Sequence, residues 1–174
     1  MARVSFVEKG QGHPMVEQLY RKIESQGQTI INLYKVLGHS PYIGLNVERL
    51  AGSLRKGQEL SPRLRELAVL RVGDLAKAEY QFSKHSVIGL QAGLHKEQIE
   101  SIHNWESSPE FDDEERAVLA YTDEVERDIK VKDETFARLR SFFSERAIVE
   151  LTIAISYYGM ISRFLVALDV EMEH

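Results

Sequence analysis

At 174 residues, with 43% hydrophobic and 28% charged side chains, the chain has the size and composition of one soluble globular domain with a real core. A formal net charge of −5, with no basic stripe interleaved with aromatics, argues against a nucleic-acid partner. The absence of cysteine excludes disulfides, thiolate metal ligands and any thiol nucleophile.

The first dozen residues read as a loose arm containing Gly10 and Gly12, without an apolar stretch of signal-peptide length, so the expected location is the cytoplasm. Pro14 can open a helix through Met15, Leu19 and Ile23. A second helix is predicted over about Thr29 to Leu37, ending near Gly38. Ser40-Pro41 caps and starts a third, reaching about Leu54 before Gly57 breaks it. Ser61-Pro62 repeats the signal for a fourth helix over 62–76, apolar nearly all round and therefore central. A fifth spans 78–92 and stops at Gly93; a short sixth runs from His95 to Ile102. Helices over Asp112 to Arg127, Asp133 to Phe143 and Glu145 to Leu168 complete an all-α, single-domain helical bundle, with buried helices near 62–76, 78–92 and 145–168. No stretch alternates with period two over a strand length. In the last helix only twelve uncharged residues separate Glu150 from Arg163, against about 20 for a membrane span, so a core or subunit-interface helix is expected and no membrane partner.

The fifth helix carries the chemistry. Ala78, Gln81, Phe82, His85, Gly89 and Ala92 follow helical spacing and line one mostly small or apolar face. A polar group on such a face needs a partner or costs about 1–3 kcal/mol. Glu66 stands 19 residues before His85, on the preceding helix, where antiparallel packing can bring the two together. A histidine held by a carboxylate at an apolar wall is a tunable proton carrier; it can equally be a satisfied core histidine. Glu66 itself can be His85's partner or a first-turn acid favoured by the helix dipole. Gln81 faces the same way as His85, as an orienting donor or as a buried amide bonded to backbone. Glu79 lies about 120° around the helix from His85 and fits a pocket rim or a surface ion pair. Arg71 and Asp74 form a natural i,i+3 pair. Arg163 can bind an anion or pair with Glu150 or Asp169. His39, His95 and His103 are scattered, with His13 and His174 near the ends and no H-x-x-x-H, so neither a metal site nor any other cofactor is expected.

The run from Leu60 to Val72, then Ala78-Glu79-Tyr80, His85 and Ala92-Gly93-Leu94, resembles the carboxymuconolactone decarboxylase family. So do Phe111-Asp112, Glu115 to Ala120, Glu150 to Ile153, Tyr157-Tyr158, Arg163-Phe164 and Leu168 to Val170. The likeness covers roughly residues 35–171, which divides the chain into an N-terminal arm and first helix (1–35) and a carboxymuconolactone decarboxylase-like domain (36–174). Its alkylhydroperoxidase D-like sister branch uses a glutamate, a Cys-x-x-Cys pair and a histidine in that order. By spacing these fall on Glu66, Ala78, Gln81 and His85, so both thiols are replaced and the thiol peroxidase chemistry is excluded.

The resemblance implies an alkylhydroperoxidase D-like fold, a homo-oligomer (trimer or hexamer), and a cofactor-free small-molecule enzyme similar to 4-carboxymuconolactone decarboxylase. In that reading His85 and Glu66 are catalytic, and Gln81, Glu79 and Tyr80 bind a small organic acid or lactone. The other reading is a non-catalytic homo-oligomeric binding module, which would seal His85 away from any pocket.

Overall fold

The computed structural model describes residues 2–173; Met1 and His174, a metal-ligand candidate weighed above, lie outside the described residues. Nine α-helices and one short 3-10 turn make up the regular structure among them, with no strand. The described residues fall into two compact units, 2–56 with 167–173, and 57–166.

The first unit holds α1 (Pro14–Ser25), α2 (Asn32–Leu37) and α3 (Pro41–Ser53). Val16, Leu19, Tyr20 and Ile23 form the buried stripe of α1, with Val7, Ile30 and Tyr34 packed against it. The Tyr20 hydroxyl donates to the Val7 carbonyl at 2.7 Å. The arm is therefore not loose: Val7 donates to the Lys35 carbonyl at 3.1 Å, Arg3 to the Leu168 carbonyl at 2.9 Å, and Lys9 pairs with Glu24 at 2.7 Å. Two apolar residues, Phe6 and Val7, give it something to bury, which its glycines obscured. Helix α2 begins at Asn32, three residues later than its pattern predicts, because the Glu173 carboxylate accepts the Asn32 N–H at 2.6 Å. At α3, Ser40 stands at the cap position, but its side chain makes no capping hydrogen bond.

The second unit is built on α4 (Pro62–Leu75), where Leu67, Ala68, Val69, Leu70 and Val72 are wholly buried. The Ser61 side chain caps α4 by accepting the Leu64 N–H at 3.2 Å. Helix α5 (Glu79–Gln91) and α7 (Asp113–Arg127) flank it, with the short α6 (Lys96–Glu100), the 3-10 turn Ile102–Asn104, α8 (Asp133–Arg140) and the long α9 (Glu145–Ala167). Helix α8 stops three residues before the expected Phe143, because Phe142 and Phe143 turn back onto the Leu139 carbonyl. That frees Ser144 to cap α9 through the Ala147 N–H at 3.2 Å. Gly93, at φ +98°, ends α5 as its position predicts.

Helix α9 has the length and apolarity of a membrane span, yet Leu151, Ala154, Ile155, Tyr158, Ile161, Ser162 and Leu165 are buried inside the protein. Its exposed side carries Arg163, which pairs with Glu126 at 2.8 Å rather than with Glu150 or Asp169. Glu150 instead accepts the backbone N–H groups of Glu59 and Leu60 at 2.8 and 2.9 Å.

Helix α4 is less apolar than its pattern suggests, because it also buries Arg65, Glu66 and Arg71. Arg71 holds Asp123 of α7 through two nitrogens, at 2.5 and 2.7 Å, and Asp74 at 2.7 Å, while donating to the Ile102 carbonyl at 2.9 Å. One guanidinium thus ties together three elements, with Trp105 Nε1 donating to Asp123 at 3.4 Å. Removing the cation takes from Asp123 its two shortest contacts, leaving Arg127 at 3.5 Å, and leaves the partly exposed Asp74 without this partner. Arg71→Ala is expected to lower unfolding free energy by roughly 3–5 kcal/mol, read from the urea midpoint at constant m; a loss within the range of an ordinary surface substitution would contradict this account.

Candidate active site

The site arises from the connection between α4 and α5. Lys77 takes a left-handed conformation, φ 52°, and the Ala78 N–H bonds back to the Gly73 carbonyl at 2.9 Å. This short reversal sends α5 back along α4. Facing positions then step outward from the turn with helical spacing: 73 meets 78, 69 meets 81, 66 meets 85. Gln81 Nε2 donates to the Val69 carbonyl at 3.2 Å, and His85 Nδ1 stands 2.6 Å from Glu66 Oε2.

The structure brings Glu66 and His85 together inside the protein. Glu66 lies past the first turn of α4, its side chain 1% exposed, so the helix-dipole reading does not describe it. Its other oxygen, Oε1, accepts Arg65 Nε at 3.1 Å and the second guanidinium nitrogen at 3.0 Å. Burial alone would push the Glu66 carboxyl upward; the hydrogen bond and charge of His85, with those of Arg65, outweigh it and hold the group below the usual glutamate range. An ionised carboxylate only accepts, so His85 Nδ1 carries the proton in this bond. Nε2 is then the ring nitrogen left to exchange one.

Around this pair α9 closes one side. The Tyr158 ring meets the His85 ring edge-on, centroids 4.7 Å apart at 79°, and Tyr157 meets Tyr158 in the same way at 5.0 Å. His85 keeps 12% of its side chain exposed. Ser162, one turn beyond Tyr158, donates to Gln81 Oε1 at 2.7 Å. Gln81 is thus engaged at both ends of its amide, linking α4, α5 and α9.

The other two candidates lie apart from the pair. Tyr80 is buried, with Lys84 Nζ 5.8 Å above its ring. Glu79 is exposed and lines a depression of about 460 Å³ with Asp74, Lys77, Phe82 and Ser83. His85 is not among that depression's lining residues. Among the described residues no three or more His, Asp or Glu side chains are grouped to hold a metal ion. Sequence reasoning passed over Arg65 and Ser162. The signal for Arg65 was there: a charged dipeptide, Arg65-Glu66, inside an apolar helix needs mutual compensation.

Residues 42–124, which span both Glu66 and His85, match the model of the carboxymuconolactone decarboxylase family. The match takes in 83 of the 174 residues, so this segment is similar to that family. An uncharacterised protein of Escherichia coli strain K12, YnjA, is 28% identical over 138 residues, covering 78% of this chain and 76% of its own. A protein of unknown function from Agrobacterium tumefaciens superposes with a TM-score of 0.75 at 25% identity, covering 80% of this chain and 96% of its own. The fold is that of the alkylhydroperoxidase D core: a peroxidase-related protein from Ralstonia eutropha JMP134 reaches a TM-score of 0.87 at 16% identity, covering 99% and 92%. The debrominase Bmp8, solved as a cysteine-to-alanine form with 2,3,4-tribromopyrrole, reaches 0.81 at 20% identity, covering 99% and 94%. These last two likenesses are of fold.

Because the Glu66 carboxyl is held down in the folded protein, it stabilises the fold above its ordinary titration range. That stability is lost as pH falls through the depressed folded value. Glu66→Gln does not titrate. Wild type should therefore exceed Glu66→Gln in stability most at neutral pH, with the gap narrowing below the ordinary glutamate range, as read by urea unfolding at a series of pH values. A gap independent of pH would refute it.

Proposed function

We propose that this protein is a cofactor-free enzyme acting on a small organic acid or lactone, in the manner of 4-carboxymuconolactone decarboxylase, with His85 as the proton carrier and Glu66 as its partner. The observation that supports this is the buried 2.6 Å contact between Glu66 and His85 Nδ1, beside the edge of Tyr158. Loss of carbon dioxide breaks a carbon–carbon bond and leaves its electron pair on the substrate as a dienolate. That carbon takes a proton from His85 Nε2–H, and the ring regains one from water. An apolar wall favours a substrate shedding its carboxylate charge, and a positioned acid contributes about 10²–10⁴ in rate. Thiol chemistry is closed to this chain, since it has no cysteine. Gln81 serves in this reading as a brace that fixes α5, while Glu79 and Tyr80 stand farther from the reacting atoms.

His85→Ala should lower turnover by roughly 10²–10⁴. His85→Gln keeps the size and one hydrogen bond but cannot transfer a proton at neutral pH; it should fold nearly as wild type and still be inactive. Glu66→Gln should cost less, because the acid remains. Carbon dioxide release from γ-lactone acids, including 4-carboxymuconolactone, is the assay. Wild-type turnover by His85→Gln on an accepted substrate would remove His85 from the mechanism.

The same reading includes a cytoplasmic homo-oligomer, a trimer or a hexamer. Val87 and Leu90 on α5, and Val149, Ile153, Met160 and Val166 on α9, are exposed apolar side chains that a second copy would cover. Light scattering at micromolar concentration should give a multiple of 19.9 kDa; a monomer would overturn this part.

A further inference from the structure

Glu66 divides its two oxygens: Oε2 faces His85 and Oε1 takes two nitrogens of Arg65. Adjacent residues on a helix do not face each other, so this guanidinium is bent sideways to reach its neighbour. It is also 8% exposed, so its charge meets that of Glu66 with little water between them. Arg65 gains from Glu66 the same thing His85 would gain on becoming an imidazolium, a counter-charge. The two cations compete for one carboxylate.

We propose that Arg65 is a positioning residue of the His85 site: by occupying Glu66 Oε1 it limits how strongly the carboxylate can hold a proton on His85, and so sets the pH at which the ring changes charge. Without Arg65, Glu66 and a protonated His85 would form an isolated, poorly solvated ion pair that keeps its proton. With it, the carboxylate is already compensated, and the ring can both give and regain a proton in each cycle. The charged groups acting on Glu66 are His85 from α5 and Arg65 from its own helix. The titratable group that α9 brings against the ring is the Tyr158 phenol. This inference rests on the proton-carrier reading for its consequence, but its electrostatic part stands on the geometry.

The test is proton NMR titration of the His85 ring in the whole protein, comparing wild type with Arg65→Gln, Arg65→Met and Arg65→Lys. Loss of the charge should move the His85 midpoint upward, in Arg65→Gln or, if a buried amide spoils folding, in Arg65→Met. Arg65→Lys restores a cation and should bring the midpoint back toward wild type. Glu66→Gln should move it the other way. A purely structural Arg65 would change stability and leave the midpoint where it was; an unmoved midpoint in whichever neutral variant folds overturns the proposal. On an accepted substrate, the alkaline limb of the rate profile should follow the NMR midpoint upward. If the midpoint moves and the limb does not, the electrostatic role of Arg65 stands and the proton-carrier reading fails.

Discussion

A carboxylate cut off from water is the constraint on which the site depends. Glu66 is buried in the most buried helix of its unit, where an unpaired negative charge would either be neutralised by a proton or disrupt the packing around it. Neither outcome is forced, because both oxygens have donors: Arg65 on one, His85 on the other. This one group thus engages Arg65 and one ring nitrogen of His85, and the His85 ring in turn meets Tyr158 edge-on. Helices α4 and α5 thus hold the ring in place without any loop taking part.

The same logic runs a second time along α4. Arg71 lies five residues after Glu66, nearly one and a half turns on, and its charge is met by Asp74 and Asp123. Helix α4 thus carries two compensated charge clusters in an otherwise aliphatic surround. They differ in what they can do. Arg71 has no accessible second protonation state and serves only to hold α7 and the 3-10 turn in place. The cluster at Glu66 includes an imidazole, the one side chain in it whose charge can change near neutral pH. Similar architecture therefore places a cation that only clamps at one position and a titratable ring at the other.

Much of this was legible in the sequence, and the reasons are specific. Ser61-Pro62 and Gly93 are local signals, read without knowing the fold, and they bounded α4 and α5 to within a residue. Once both helices and the short link between them were placed, the 19-residue separation of Glu66 and His85 followed from antiparallel geometry. What could not be read were partners supplied from far along the chain. The start of α2 depends on Glu173, the anchor of Gln81 on Ser162, the partner of Arg163 on Glu126, and that of Arg71 on Asp123. Local pattern carries no information about which distant side chain arrives. For Glu66 the sequence left two readings open, a partner for His85 or a first-turn acid, because counting from Pro62 says nothing of the burial that neighbouring elements impose.

Gln81 shows what an amide can do for the packing of a helix. At this position the amide donates to a backbone carbonyl of α4 and accepts from a hydroxyl of α9, two directed hydrogen bonds that a thiol, a weak donor and weaker acceptor, would make poorly. Ala78 is buried and bonds through its backbone to the turn. Both positions therefore serve the packing of α5 on its neighbours, Ala78 about two turns and Gln81 about one turn before His85. The titratable side chain on this face of α5 is the imidazole of His85, and α4 presents to it a carboxylate that is itself held by a guanidinium.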